Sequence, residues 1–246
     1  MSRGQKPAPV RCVLRGGGWV TNSMELPTKS PQRWSAGALG QILAGITRAI
    51  AALRVAAKPL HPHGEVVLGE LRRAGLAPPT GASWLDSPGT DTVLVRLSRA
   101  VGLPAPIPDI FGLALRAPTG AGHGDLLFAT TGLSKFGKFV LRPHFSPFRG
   151  AMTTLLPYRT PQGPTLLAIV PGSSDRFDVM CARVNGPWRQ FGTLTLTTAG
   201  ADALVSFDPL RNTLPGLENY EFVRALREPA YRVARRSRQA EDGSDA

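Results

Sequence analysis

Arg96 and Ser98 stand two residues apart in the run Val95-Arg96-Leu97-Ser98, so on a strand the guanidinium and the hydroxyl leave the same face. A buried arginine needs an anion, and its forked donors match a carboxylate well. Toward the carboxy end, Arg224, Arg227, Tyr231, Arg235 and Arg238 recur at intervals of three or four, which on a helix makes one continuous stripe. A phenol has a pKa of about 10, and a neighbouring cation lowers that pKa. His61 and His63 flank Pro62. An imidazole with an unperturbed pKa near 6.5 can take a proton and return it. Anion binding, an ionisable phenol among cations and proton transfer are therefore the chemistries on offer.

These side chains need a scaffold. Glu65 to Arg72 alternates as a half-buried strand does. Thr92 to Ser98, Phe111 to Ala117, Asp125 to Thr130, Leu155 to Tyr158, Thr165 to Val170, Phe177 to Val184 and Phe191 to Thr197 have strand length and composition. Short strands at such regular spacing predict a barrel or sandwich. Ahead of them Leu39, Ile42, Leu43, Ile46, Ile50 and Leu53 recur at helical spacing, an amphipathic helix with one buried face. Asn219 to Arg238 has few β-branched residues and many helix formers. The expected organisation is a poorly ordered basic arm over 1–35 and one domain over 36–238, then a disordered acidic tail over 239–246. Within the domain, a helix over 36–57 precedes a barrel over about 62–207 and a closing helix over about 219–238. The expected fold class is α+β, an antiparallel barrel core with flanking helices.

Composition narrows the function classes. Cys12 and Cys181 are the only cysteines among 246 residues, without zinc-ribbon spacing or a disulfide framework, which fits a reducing, cytoplasmic setting. The net charge of +12 is scattered from Arg3 to Arg238, with one dense run at Arg232 to Arg238. No RNP-like aromatic motif or zinc-finger spacing accompanies it, so nucleic-acid binding is expected to be non-specific at most. No apolar run is long enough for a membrane span, because Gln41, Thr47, Arg48 and Arg54 interrupt the window 36–57.

Arg96-x-Ser98, then Asp109-x-x-Gly112-x-Ala114-x-Arg116, then Asp125-Leu126 resembles the central heme-pocket segment of the catalase family, in order and at similar intervals. His61, Gly64, Gly69 and Leu71 resemble the spacing with which that family opens its pocket on a distal histidine. Phe207-Asp208-Pro209, Pro215-Gly216-Leu217-Glu218 and Arg227-x-x-x-Tyr231, with Arg238 seven residues on, resemble the segment that carries the family's proximal tyrosine. The resemblance runs from Lys58 to about Arg238. It implies a b-type heme with Tyr231 as axial iron ligand and Arg96, Gly112, Arg227 and Arg238 as heme-binding residues. It further implies His61 as the proton-transfer group, Ser98 as its orienting partner, and a possible homo-oligomer. Catalase is the type case of tyrosine-ligated heme.

The chain departs from the family where a distal asparagine is expected: Ala129 and Thr130 stand there. Thr130 offers a hydroxyl in place of the amide. Pro229 interrupts the spacing between Arg227 and Tyr231, where it begins or kinks a helix. Three readings follow. The first is a small heme-dependent hydroperoxidase, peroxidase-like rather than an efficient catalase. The second is a heme-binding protein of the same fold with little turnover. The third is a metal-dependent hydrolase, such as a phosphodiesterase, built on His61 and His63. For that site the remaining candidate ligands are His123, His144 and Asp125, where three to five are needed.

Overall fold

The computed structural model describes residues 65–100, 106–173, 175–200 and 205–242, with side chains at 198–200, 230 and 233–242 left aside. The amphipathic pattern at 36–57, His61 and His63 lie outside these residues.

Alternation along the strands builds a closed wall. In chain order the strands are β1 (Glu65–Arg73), β2 (Gly89–Arg99), β3 (Phe111–Thr119), β4 (Gly122–Thr130), β5 (Met152–Thr153), β6 (Tyr158–Thr160), β7 (Gly163–Pro171), β8 (Arg176–Arg183), β9 (Arg189–Gly200) and β10 (Glu218–Asn219). They pair in the order β10-β6-β7-β5-β4-β3-β2-β1-β9-β8, and β8 pairs back onto β7. The ring from β7 through β5 to β8 is thus an eight-stranded antiparallel barrel, with β6 and β10 attached outside the ring. Val67 and Leu71 on β1, Val93 and Val95 on β2, Phe111, Leu113, Leu115 and Ala117 on β3, and Leu126 and Phe128 on β4 fill the interior. Each fully buried Leu or Phe contributes about 1.5–3 kcal/mol. Gly69 shares the inner face of β1, and a β-carbon there would come within 3.1 Å of Leu194 and of the Thr195 carbonyl. That close approach lies next to the register shift between Val67 and Gly69 in the β1–β9 seam.

One barrel end is plugged by a four-residue helix, α1 (Ser83–Asp86). Its Trp84 meets Phe191 edge to face at 5.9 Å, and Arg73 lies 5.0 Å from the same ring while bonding Asp91 at 2.9 Å. The Pro215-Gly216 turn packs on this plug: Trp84 N–H donates to the Pro215 carbonyl, and Gly216 (φ 82°) sits where a β-carbon would be 2.5 Å from Ala82 Cα. Gly216 is therefore required twice over, by conformation and by space.

The expected α+β class is overturned: the described chain is nearly all-β. Its helices are α1, a 3-10 turn at Gly137–Phe139 and one long helix, α2 (Glu221–Asp242). Strands account for most of the regular structure between β1 and β9, and the other helix that weighed in the α+β expectation lies outside the description. Expected and observed strands agree closely, with one exception. Leu155 to Tyr158 is not a strand, because Leu155 takes φ 58° and the Leu156 N–H folds back onto the Thr154 carbonyl at 2.6 Å. Such a tight turn at a non-glycine residue carries backbone strain. It delivers Leu156 to a small cluster with Val223, flanked by Tyr220 and Leu226.

Candidate functional site

The outer face of β2–β4 carries the sequence-marked residues in rows. Ser98 pairs with Gly112, and Gly112 with Ala129; Arg96 pairs with Ala114, and Ala114 with Leu127; Leu94 pairs with Arg116, and Arg116 with Asp125. Directly paired residues of an antiparallel sheet point to one side. Arg96, Ser98 and Gly112 are thus brought together, half-buried, on a surface of small side chains. A β-carbon at Gly112 would lie 3.0 Å from the Ser98 hydroxyl, so glycine keeps that hydroxyl uncrowded.

Thr130 is not on this face. It pairs with Met152, is fully buried, and its hydroxyl accepts the Phe111 N–H at 3.1 Å while donating to the Arg142 carbonyl at 2.7 Å. Both of its hydrogen-bonding roles are occupied by backbone, and Ala129 is the residue of the pair that turns outward.

At the lower end of the face Asp125 is buried and accepts four bonds. Arg116 Nε donates at 2.7 Å, Arg116 Nη2 at 2.9 Å, the Asp208 N–H at 2.7 Å and Asn212 Nδ2 at 2.8 Å. Burial pushes the carboxyl up, but the bonds from Arg116, Asn212 and Asp208 outweigh it and hold the pKa below the ordinary carboxylate value. Arg116 also donates to the Ser206 carbonyl at 2.6 Å and lies over the Phe207 ring at 5.1 Å. The segment 206–212 is therefore fastened to the outer wall of the barrel. The Arg116–Asp125 pairing is open to sequence reasoning: a hairpin turning at Gly120-Ala121 puts residues 116 and 125 opposite each other.

The closing helix α2 runs through Pro229, which is exposed, as is Ala225, whose carbonyl the proline leaves without its helical donor. Helical continuity keeps Val223, Arg227 and Tyr231 on one inward stripe; Val223 and Arg227 are buried and Tyr231 is half-buried. Only the backbone of Arg238 is described. Tyr231 is crowded enough by protein that burial pushes its phenol up to about 12, with Asp208, Tyr158 and Asp125 adding to the rise and Arg227 opposing it. Arg227 reaches the Thr154 carbonyl through Nη2 at 3.4 Å, while its Nε is buried with no hydrogen-bond partner. The Tyr158 hydroxyl is likewise buried and without a partner; burial raises its pKa against the pull of Arg227. Tyr158 is the residue that the sequence does not single out, since its signal depends on which side chains surround it.

His123 is exposed on β4 and Asp125 beside it is committed to Arg116. His144 is tied by backbone to Asp109, with its Nε2 buried against Gly150. Among the described residues no three His, Cys, Asp or Glu side chains group as metal ligands, and no helix is long and apolar enough to cross a membrane.

No protein-family profile matches the chain, and no curated protein matches it by sequence. Solved structures do match. A bacterial catalase superposes with a TM-score of 0.52 at 14% identity, over 96% of this chain and 67% of the catalase. A fungal catalase gives 0.49 at 10% identity, over 65% of this chain and 55% of that one. On the match to the bacterial structure, the chain has a catalase-like fold.

Proposed function

We propose that the chain is a small heme protein that acts on hydroperoxides, with peroxidase-like rather than efficient catalase turnover. One observation carries the reading. Tyr231 follows Arg227 by one turn of α2, the Arg227 Nε and the Tyr158 hydroxyl are buried without a partner, and the outer face of β2–β4 bears Arg96, Ser98 and Gly112. Unpartnered buried polar groups are costly and call for an explanation. A phenolate ligand would supply one, because an anionic oxygen accepts such donors more strongly than a neutral phenol does.

The residues fit a heme. Gly112, Ala114 and Ala129 offer small side chains beside Leu127, Arg96 a forked donor for a propionate, and Tyr231 an oxygen ligand one helical turn from Arg227. Heme b bound there would supply an Fe(III) centre able to cleave the O–O bond of a hydroperoxide. The chain's own part is to hold and shield. Arg227 stabilises the charge on Tyr231, Ser98 orients His61, and His61 moves the proton from one peroxide oxygen to the other. Arg238 would, by the resemblance, be a further heme-binding cation. General acid–base assistance of this kind is worth about 10²- to 10⁴-fold. With Ala129 outward and the Thr130 hydroxyl bonded inside the barrel, no side chain at either position is available to steady hydrogen peroxide, and oxygen release is expected to be weak. The same observation favours the second reading, a heme binder with little turnover.

The test is reconstitution with ferric heme. The expected result is a high-spin tyrosinate spectrum that Tyr231→Phe abolishes and Tyr220→Phe retains. A colourless wild-type protein overturns the reading. Oxidation of an organic donor by a hydroperoxide, followed beside an oxygen electrode, separates the two heme readings: turnover slowed by His61→Ala with heme retained supports the enzyme, and none in the wild type leaves the binder.

A further inference from the structure

We infer that the surface around Ile107 and Phe145 docks on an anionic lipid bilayer: the two apolar side chains enter the lipid, and Arg142 and Arg149 meet its phosphates. Neither heme nor Tyr231 enters into it.

One backbone bridge assembles the surface. The Asp109 N–H donates to the His144 carbonyl at 2.9 Å and the His144 N–H to the Asp109 carbonyl at 2.8 Å, so residues 107 and 145 stand on two adjacent stretches of chain. Ile107 is 46% exposed and Phe145 65%. Both are held stiffly. Ile107 stands between Pro106 and Pro108 and Phe145 between Pro143 and Pro147, and each proline ring fixes its own φ. Behind Phe145 the chain is anchored: Phe148 packs on the buried Phe177 at 5.5 Å, and the His144 ring fills the place of a β-carbon at Gly150. This connection thus spends one phenylalanine on the core and presents the other. Side chains held in place beforehand lose little freedom on binding.

Charge points to the partner. Asp109 and Asp125 are the only acids from residue 92 to residue 174, and both are buried. Arg142, two residues before His144, and Arg149, whose N–H closes a turn on the Ser146 carbonyl, are exposed. Among the described residues the ion pairs engage Arg72, Arg73, Arg116 and Arg159 and leave these two arginines without a carboxylate. A chain of net charge +12 is drawn to an anionic surface. Ile107 decides which kind. It has no π-face, so a nucleic-acid strand would stack on the ring of Phe145 and leave Ile107 idle. Acyl chains take both, while the arginine stems reach back to the phosphates. Phe222 is the contrast, an exposed ring preceded by Glu218 and Glu221.

Sedimentation of the full chain with vesicles tests the surface. Binding is expected to phosphatidylcholine mixed with phosphatidylserine, falling as salt rises, and not to phosphatidylcholine alone. Equal binding to both lipids, or to neither, overturns the docking. Phe145→Ala and Ile107→Ala are each expected to lower the partition about 10-fold, Arg142→Gln and Arg149→Gln about 5-fold each, and Phe222→Ala to leave it unchanged. Phe145→Ala and Ile107→Ala variants that bind as the wild type does show that charge alone acts, and overturn it. A ring free in solution also contributes little to folding, so Phe145→Ala keeps the wild-type unfolding midpoint; a drop shows that the chain itself covers the ring, and overturns it too. A single-stranded oligonucleotide that the wild type binds and Phe145→Ala releases assigns the ring to base stacking and overturns the bilayer as partner.

Discussion

Two buried polar clusters sit against the outer side of this barrel, and they are built on opposite principles. Around Asp125 every polar group is answered: a carboxylate meets a bidentate guanidinium, an amide and a backbone N–H, all at 2.7–2.9 Å. Around Tyr231 two polar atoms, on Tyr158 and Arg227, are left unanswered. A satisfied cluster stabilises, here by fastening residues 206–212 to β3 and β4. An unsatisfied donor costs about 1–3 kcal/mol.

Breaking the satisfied cluster is expected to have the largest effect. Asp125→Ala strands Arg116 and frees two further donors, and is expected to cost about 3–5 kcal/mol in urea unfolding. A cost below about 1 kcal/mol, the scale of an ordinary hydrogen bond, would place Asp125 with the functional cluster instead. Gly124→Ala tests the same fastening by volume: its β-carbon would lie 2.6 Å from Leu214 Cγ, and overpacking is expected to cost about 1–3 kcal/mol. Thr130→Val removes a hydroxyl with two backbone partners and is expected to cost about 1–3 kcal/mol while leaving any heme spectrum intact; a changed spectrum would return Thr130 to the site. Acidification is the mildest probe. The folded pKa of Asp125 lies below its unfolded value of about 3.9, so its contribution is complete above that value and is lost as pH falls through the folded one. Unfolding curves compared between wild type and Asp125→Asn should converge as pH drops below about 4; curves that stay parallel would assign the acid sensitivity elsewhere.

The same division separates what sequence reveals from what it hides. Period-two alternation locates β1 through β4 and β7 through β9 because inward residues such as Leu113 and Leu115 are selected one by one. The i, i+4 relation of Arg227 and Tyr231 is in doubt at Pro229 from sequence alone, and the helix continues because the carbonyl it frees faces solvent. Thr130 lies one step of a strand away from the outer face, the shift that exchanges the two sides of a sheet. Tyr158 stays hidden behind Thr-Leu-Leu-Pro, whose apolar composition suits a strand but whose backbone turns sharply at Leu155. An idle hydroxyl has no sequence signature at all.

The seam between β1 and β9 has a consequence in time. Most walls of the barrel are hairpins or near neighbours, as with β2–β3, β3–β4, β7–β8 and β8–β9. The seam instead joins Val67 to Gly200 and Arg73 to Gly192. Contacts between such distant residues form late, because the entropy of closing the intervening chain precedes any gain from pairing. Until residue 200 has left the ribosome, β1 can have its β2 neighbour but not its β9 one. A nascent chain therefore carries an open strand edge through most of its synthesis, and the finished ring protects that edge only at the last step.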